Sequence, residues 1–178
     1  NADPDSAAQA NDIEIIADNG SIINGSGSAI AIDEVNNLTL TAKGSIGSLA
    51  KPITVNAKTI TLTLTSTSVT AGDAGIYIDN NPNVLNVDNG VGGDTVTLTT
   101  IDTGTLAGNI TYRQTGQKLK VSGPITSNGG DIIIDPPTDL EIDATIDGGG
   151  GSVTAEATGN ITFGATGFVA TSGAGNIL

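Results

Sequence analysis

Thr59-Ile60-Thr61-Leu62-Thr63-Leu64-Thr65 alternates without a break, and that alternation decides the fold class. Successive side chains of a strand point to opposite faces, so Ile60, Leu62 and Leu64 share one side and the threonines the other. The stretch therefore reads as a β-strand with one dry and one wet face. Related phrases recur along the chain: Asn37-Leu38-Thr39-Leu40, Asn109-Ile110-Thr111-Tyr112, Asp131-Ile132-Ile133-Ile134, Ser152-Val153-Thr154-Ala155 and Asn160-Ile161-Thr162-Phe163. No window carries apolar residues at helical spacing with caps, and the helix-tolerant stretch Ala7 to Ala10 is too short to hold.

The apolar residues that open these runs fall at Ile13, Leu38, Ile60, Val84, Ile110, Ile132, Val153 and Ile177, a mean spacing of about 23 residues. Spacing of that size is the mark of a solenoid, in which each repeat is one turn of a coil. Glycine clusters such as Gly92-Gly93, Gly129-Gly130 and Gly148 to Gly151 separate the runs and serve as corners. The expected architecture is all-β: a parallel β-helix (β-solenoid) of about seven coils over residues 11–178, as a single repeat domain. An antiparallel β-sandwich is the alternative, because Asn19-Gly20, Asn24-Gly25, Asn89-Gly90 and Asn128-Gly129 suit tight hairpins. In the solenoid, Ile60, Val84, Ile110, Ile132 and Val153 are expected one above another as a core ladder, with rungs about 4.8 Å apart.

Composition points the same way. The chain has 178 residues with no Cys, Met, Trp or His, and its aromatics are Tyr77, Tyr112, Phe163 and Phe168. A core of Ile, Val, Leu, Ala and Thr fills space when opposing sheets lie close, which favours narrow stacked sheets over a thick globule. Nineteen acids against six bases give a formal net charge of -13. That charge repels phosphate backbones and anionic headgroups, so nucleic acid is not an expected partner. No apolar run approaches the length of a membrane span, so direct membrane insertion is not expected either.

Without His or Cys, nucleophilic triads and imidazole metal centres are excluded, and any catalysis would rest on carboxylates. Asp131, Asp135, Asp139, Glu141, Asp143 and Asp147 form the densest acidic run, and residues 121–178 hold seven acids and no base. A carbohydrate-active β-helix would draw on that run, but the sugar-stacking aromatics and positioned base that such enzymes need are nearly absent. The chain is read as not an enzyme. Calcium is the one cofactor with a candidate ligand set. Asp139, Glu141 and Asp143 alternate along one strand face, and Asp88 and Asp94 flank a glycine turn, so each group offers hard oxygen ligands. Asn19, Asn24, Asn37, Asn109 and Asn160 begin Asn-x-Ser/Thr triplets and are candidate glycosylation sites.

Neither terminus reads as a cap. Residues 1–10 are polar and form an expected flexible arm, suited either to fray or to add a strand to a neighbour. Gly175-Asn176-Ile177-Leu178 reads as the opening of another coil. Such a chain is expected to continue into a longer one or to associate with itself, end to end or through the arm.

Leu38 to Asn80 and Gly159-Asn160-Ile161-Thr162-Phe163-Gly164 resemble the bacterial filamentous-haemagglutinin-like and β-strand-repeat giant surface exoproteins. The resemblance covers most of residues 11–178. It implies a right-handed parallel β-helix, export to the cell surface or medium, and a role in adhesion or surface architecture with a glycan or cell-surface ligand. The expected function is a structural or adhesive extracellular segment, with a calcium-dependent binding module or a carbohydrate-active β-helix as alternatives.

Overall fold

A computed structural model describes residues 12–25, 31–65, 75–81, 95–105, 107–135 and 138–178. Among these residues there is no helix and there are fourteen strands, joined in a single sheet. They are β1 (Asp12–Ala17), β2 (Ile32–Ala42), β3 (Ile53–Leu64), β4 (Gly75–Asn80), β5 (Thr95–Asp102), β6 (Asn109–Gln114) and β7 (Lys118–Val121). There follow β8 (Ile125–Thr126), β9 (Ile132–Asp135), β10 (Leu140–Ile142), β11 (Thr145–Asp147), β12 (Val153–Ala155), β13 (Ile161–Phe163) and β14 (Phe168–Ala170).

Every strand pairs in parallel with a strand one turn away, as in β1 on β2, β6 on β9 and β11 on β14. Parallel neighbours separated by a whole turn make a β-solenoid and exclude the antiparallel sandwich. Three faces result. The first carries β4, β6, β9 and β12; the second β5, β7, β10 and β13; the third β8, β11 and β14. In the early turns the chain passes between faces inside one long strand: the start of β3 pairs with β4 and its end with β5. Between β6 and β7 the corner joining the first two faces is a break at Gly116-Gln117, both with positive φ.

Aliphatic ladders run through the stack and form the core. Ile22, Ile46, Ile76, Ile110, Ile132, Val153 and Ile177 pair in sequence along the first face. Ile13, Leu38, Ile60, Leu98, Val121, Ile142 and Phe163 do so along the second. Seven rungs enclose about six turns. Ile110, Ile132 and Val153 therefore lie over one another as expected, whereas Ile60 belongs to the second ladder; Val84 lies outside the described residues. Even spacing concealed this, because rungs on the second face are 21 to 25 residues apart except between Ile60 and Leu98, which are 38 apart. The extra length falls in residues 66–74 and 82–94, and Val84 lies within the second segment.

In the central turns alternation separates buried from exposed side chains, as in β9, where Ile132 and Ile134 are buried and Ile133 and Asp135 exposed. A polar cluster around Asn80 interrupts the dry interior. Asn80 is buried; its side-chain amide donates to the Ala57 carbonyl at 3.0 Å and to the Tyr112 hydroxyl at 3.1 Å, and its oxygen accepts the Ala57 amide. The Tyr112 hydroxyl donates to Gln114 Oε1 at 2.8 Å, and Gln114 in turn holds the carbonyls of Gly116 and Gln117. The cluster satisfies backbone groups at the corner where β3 runs through and β6 breaks. Burial pushes the Tyr112 phenol well above its ordinary range, against the smaller opposing effect of the Asn80 hydrogen bond.

Candidate functional site

The acidic run predicted from sequence is spread around three faces of one turn. Asp131 and Asp135 flank and end β9, Asp139 to Asp143 span β10, and Asp147 ends β11. Leu140 and Ile142 point into the core, so Asp139, Glu141 and Asp143 share the outer side, as the alternation predicts.

Two of those three carboxylates, Glu141 and Asp143, face a row of lysines one turn below. β7 places Lys118 and Lys120 outward, with Lys120 in register with Glu141. Glu141 accepts hydrogen bonds from Lys118 and, at 2.8 Å, from Lys120; Lys120 also pairs with Asp143 at 2.5 Å. The lysines hold the Glu141 carboxyl down at about 2, Lys118 contributing most. Lys120 is held above its ordinary value, chiefly by the hydrogen bond to Asp143 and then by that to Glu141. Asp139 stands apart from this network and accepts the Asn160 amide at 2.7 Å. The charges on Glu141 and Asp143 are thus balanced by lysine, and among the described residues no three acidic side chains are grouped to hold a metal ion. Asp88 and Asp94 lie outside the described residues.

Asp131 belongs to a different device, which sequence reasoning missed. At the corner that opens the first face, a side chain accepts the backbone amide of the turn above at four of the steps between turns. Ser21 Oγ accepts the Ser45 amide at 2.9 Å, Asn109 Oδ1 the Asp131 amide at 2.9 Å, Asp131 Oδ1 the Ser152 amide at 2.8 Å, and Ser152 Oγ the Asn176 amide at 3.4 Å. A glycine precedes each of these residues and an Ile or Val follows it. The signal is legible in hindsight as Gly-Ser-Ile at 20–22 and 44–46, Gly-Asn-Ile at 108–110 and 175–177, Gly-Asp-Ile at 130–132 and Gly-Ser-Val at 151–153. Gly75 takes the polar place on the third rung, in register with Asn109 on the fourth.

The five triplet asparagines are dispersed. Asn19 is exposed in the turn after β1, and the Asn24 amide donates to the Pro52 carbonyl at 3.0 Å. Asn37 lies outward in β2 and donates to Asp12 at 2.7 Å. Asn109 belongs to the corner ladder, and Asn160 is exposed just before β13. On the first face, outward Arg113 sits between Asp79 and Asp135 in register. Desolvation raises the Asp79 carboxyl, and Arg113, 3.9 Å away, partly offsets it.

No family model, curated protein or solved structure matches the chain.

Proposed function

We propose that this chain is a structural or adhesive segment of an extracellular, cell-surface or filament-forming protein, and that its function is carried by shape. The observation that supports this is the unbroken aliphatic ladder from Ile22 to Ile177, in which every described strand is tied to its neighbour by parallel pairing. Such a stack is stiff along its axis, and its backbone amides are tied up in the ladders. Its outer rows of Thr, Asn and acidic residues suit a hydrated surface that meets glycans or a cell coat.

The test is made on the producing cell. Antibody against the chain should label intact cells, and gentle surface shaving with protease should leave a resistant rod of this region. Recovery only from the cytoplasm of lysed cells would rule the reading out. A calcium-dependent module has weaker support, because Lys118 and Lys120 already occupy the oxygens of Glu141 and Asp143. A melting temperature that rises with calcium and falls on chelation would favour it over the inert scaffold.

A further inference from the structure

The outer side of the first face holds two buried oxygen atoms that lack a hydrogen-bond donor among the described residues: Asp79 Oδ1 and Asn81 Oδ1. Asp79 and Asn81 flank Asn80, whose side chain points inward, so alternation turns both outward. An acceptor buried without a donor is costly, and native structures seldom keep one unless a water or an ion completes it. Asn56 stands beside them. Val55 pairs with Asn80, and the Asn81 amide donates to the Val55 carbonyl at 2.8 Å, which sets Asn56 and Asn81 on adjacent rungs. Asn56 lies between the inward Val55 and Ala57, and yet it is 0% exposed. Side chains on adjacent rungs are about 4.8 Å apart, and those two residues apart on one strand about 7 Å, so one small ion can gather all three. The Asp79 side chain is 39% exposed, which leaves its carboxylate an opening to solvent. Desolvation raises that carboxyl and Arg113 offsets it only in part, so the buried charge still lacks a full counter-charge. Arg113 is half exposed and in register with Asp135 on its other side, toward which it can lean.

We propose that Asp79, Asn81 and Asn56 form a cation site that takes calcium, with one carboxylate and two side-chain amide oxygens as its protein ligands. The class of ion follows from the donors. Carboxylate and amide oxygens are hard ligands, and calcium accepts six to eight of them at about 2.3–2.6 Å in a flexible geometry, with backbone carbonyls or water filling the other places. Magnesium requires a small octahedral shell and gives up water reluctantly, which a buried, amide-rich set does not suit. The net charge of -13 draws cations toward the surface. This site is separate from the acids of β10, whose oxygens Lys118 and Lys120 already hold. It goes beyond the scaffold reading and does not depend on it. Asn56 lies where β3 leaves its pairing with β4 and approaches its pairing with β5, so an ion held there would pin the corner between the first two faces.

The two tyrosines of the chain make the site visible. Tyr77 precedes Asp79 by two residues on the same outer side, and the Tyr112 hydroxyl accepts a hydrogen bond from the intervening Asn80. Terbium, a luminescent stand-in for calcium, added to the full chain should therefore emit when tyrosine is excited. Calcium should displace it, and an equal concentration of magnesium should not. Loss of an outer-shell partner alone costs about 10–100-fold in metal affinity, so loss of the ligand itself in Asp79→Asn should weaken binding by at least about tenfold. Asn81→Ala should weaken it too, with an unchanged β spectrum in the far ultraviolet, whereas Asn81→Asp keeps an oxygen, adds charge and should bind more tightly. Glu141→Gln should leave the emission as it is. Absence of sensitised emission from the native chain, or emission undiminished in Asp79→Asn, would overturn the proposal. Surface labelling of the producing cell tests the scaffold reading separately, so the two failures are distinguishable.

Discussion

A Cβ on Gly151 would press into the Gly130 carbonyl and lie 2.9 Å from the Asp131 nitrogen; Gly130 and Gly175 meet the rung below them in the same way. These glycines are needed because successive turns approach closely at the corner where the amide ladder runs. Gly150, next in sequence, has nothing nearer than 4.0 Å. Gly151→Ala should therefore cost about 1–3 kcal/mol by overpacking, whereas Gly150→Ala should change stability by less than about 0.5 kcal/mol. Urea unfolding of the pair measures the contrast, and equal effects would refute the close-approach account. Asn80 tests the opposite kind of site, a buried polar group with every hydrogen bond made. Asn80→Ala strands the Ala57 amide and carbonyl and removes a donor to Tyr112, a loss of about 3 kcal/mol that calorimetry would detect.

At the scale of the strand, period-two alternation makes neighbours unequal. Ile132 is fully buried between Ile110 and Val153, and Ile133 is exposed. Ile132→Ala should cost about 2–5 kcal/mol; Ile133→Ala should cost less than about 1 kcal/mol, and reversal of that order in denaturant melts would mean the strand faces the other way. The β7–β10 pair adds charge to the ladder. Glu141 is lowered from 4.5 to about 2, so its stabilising effect is complete above pH 4.5 and is lost as the pH falls from 4.5 to about 2. Both lysines and the carboxyl are partly exposed, so water screens the pair and its effect is small. Wild type should melt slightly higher than Glu141→Gln at neutral pH, and the gap should close as pH falls through that window; a gap independent of pH would assign the effect to packing. The sharing of one face by Asp139, Glu141 and Asp143 was legible from alternation alone. Their partners were not, because Lys120 lies 21 residues before Glu141 and only the length of a turn reveals that they touch.

For the molecule as a whole, the coil and its parallel stacking were readable because each rung repeats the same apolar need. The assignment of rungs to ladders was not: the chain takes 38 residues from Ile60 to Leu98, so Ile60 and Ile110 stand in different ladders although the average spacing links them. A solenoid is nearly one-dimensional, since each turn touches only the turns above and below. Stability therefore depends on how many sides a rung has covered. β6 and β9 have neighbours on both sides, while β13 and β14 have one. Hydrogen exchange of the dilute chain should show amides of β6 and β9 opening only with global unfolding, and those of β13, β14 and Ile177 exchanging earliest by local fraying. Uniform exchange along the stack at low concentration would mean that the rod unfolds as one cooperative block and that terminal rungs hold as firmly as central ones.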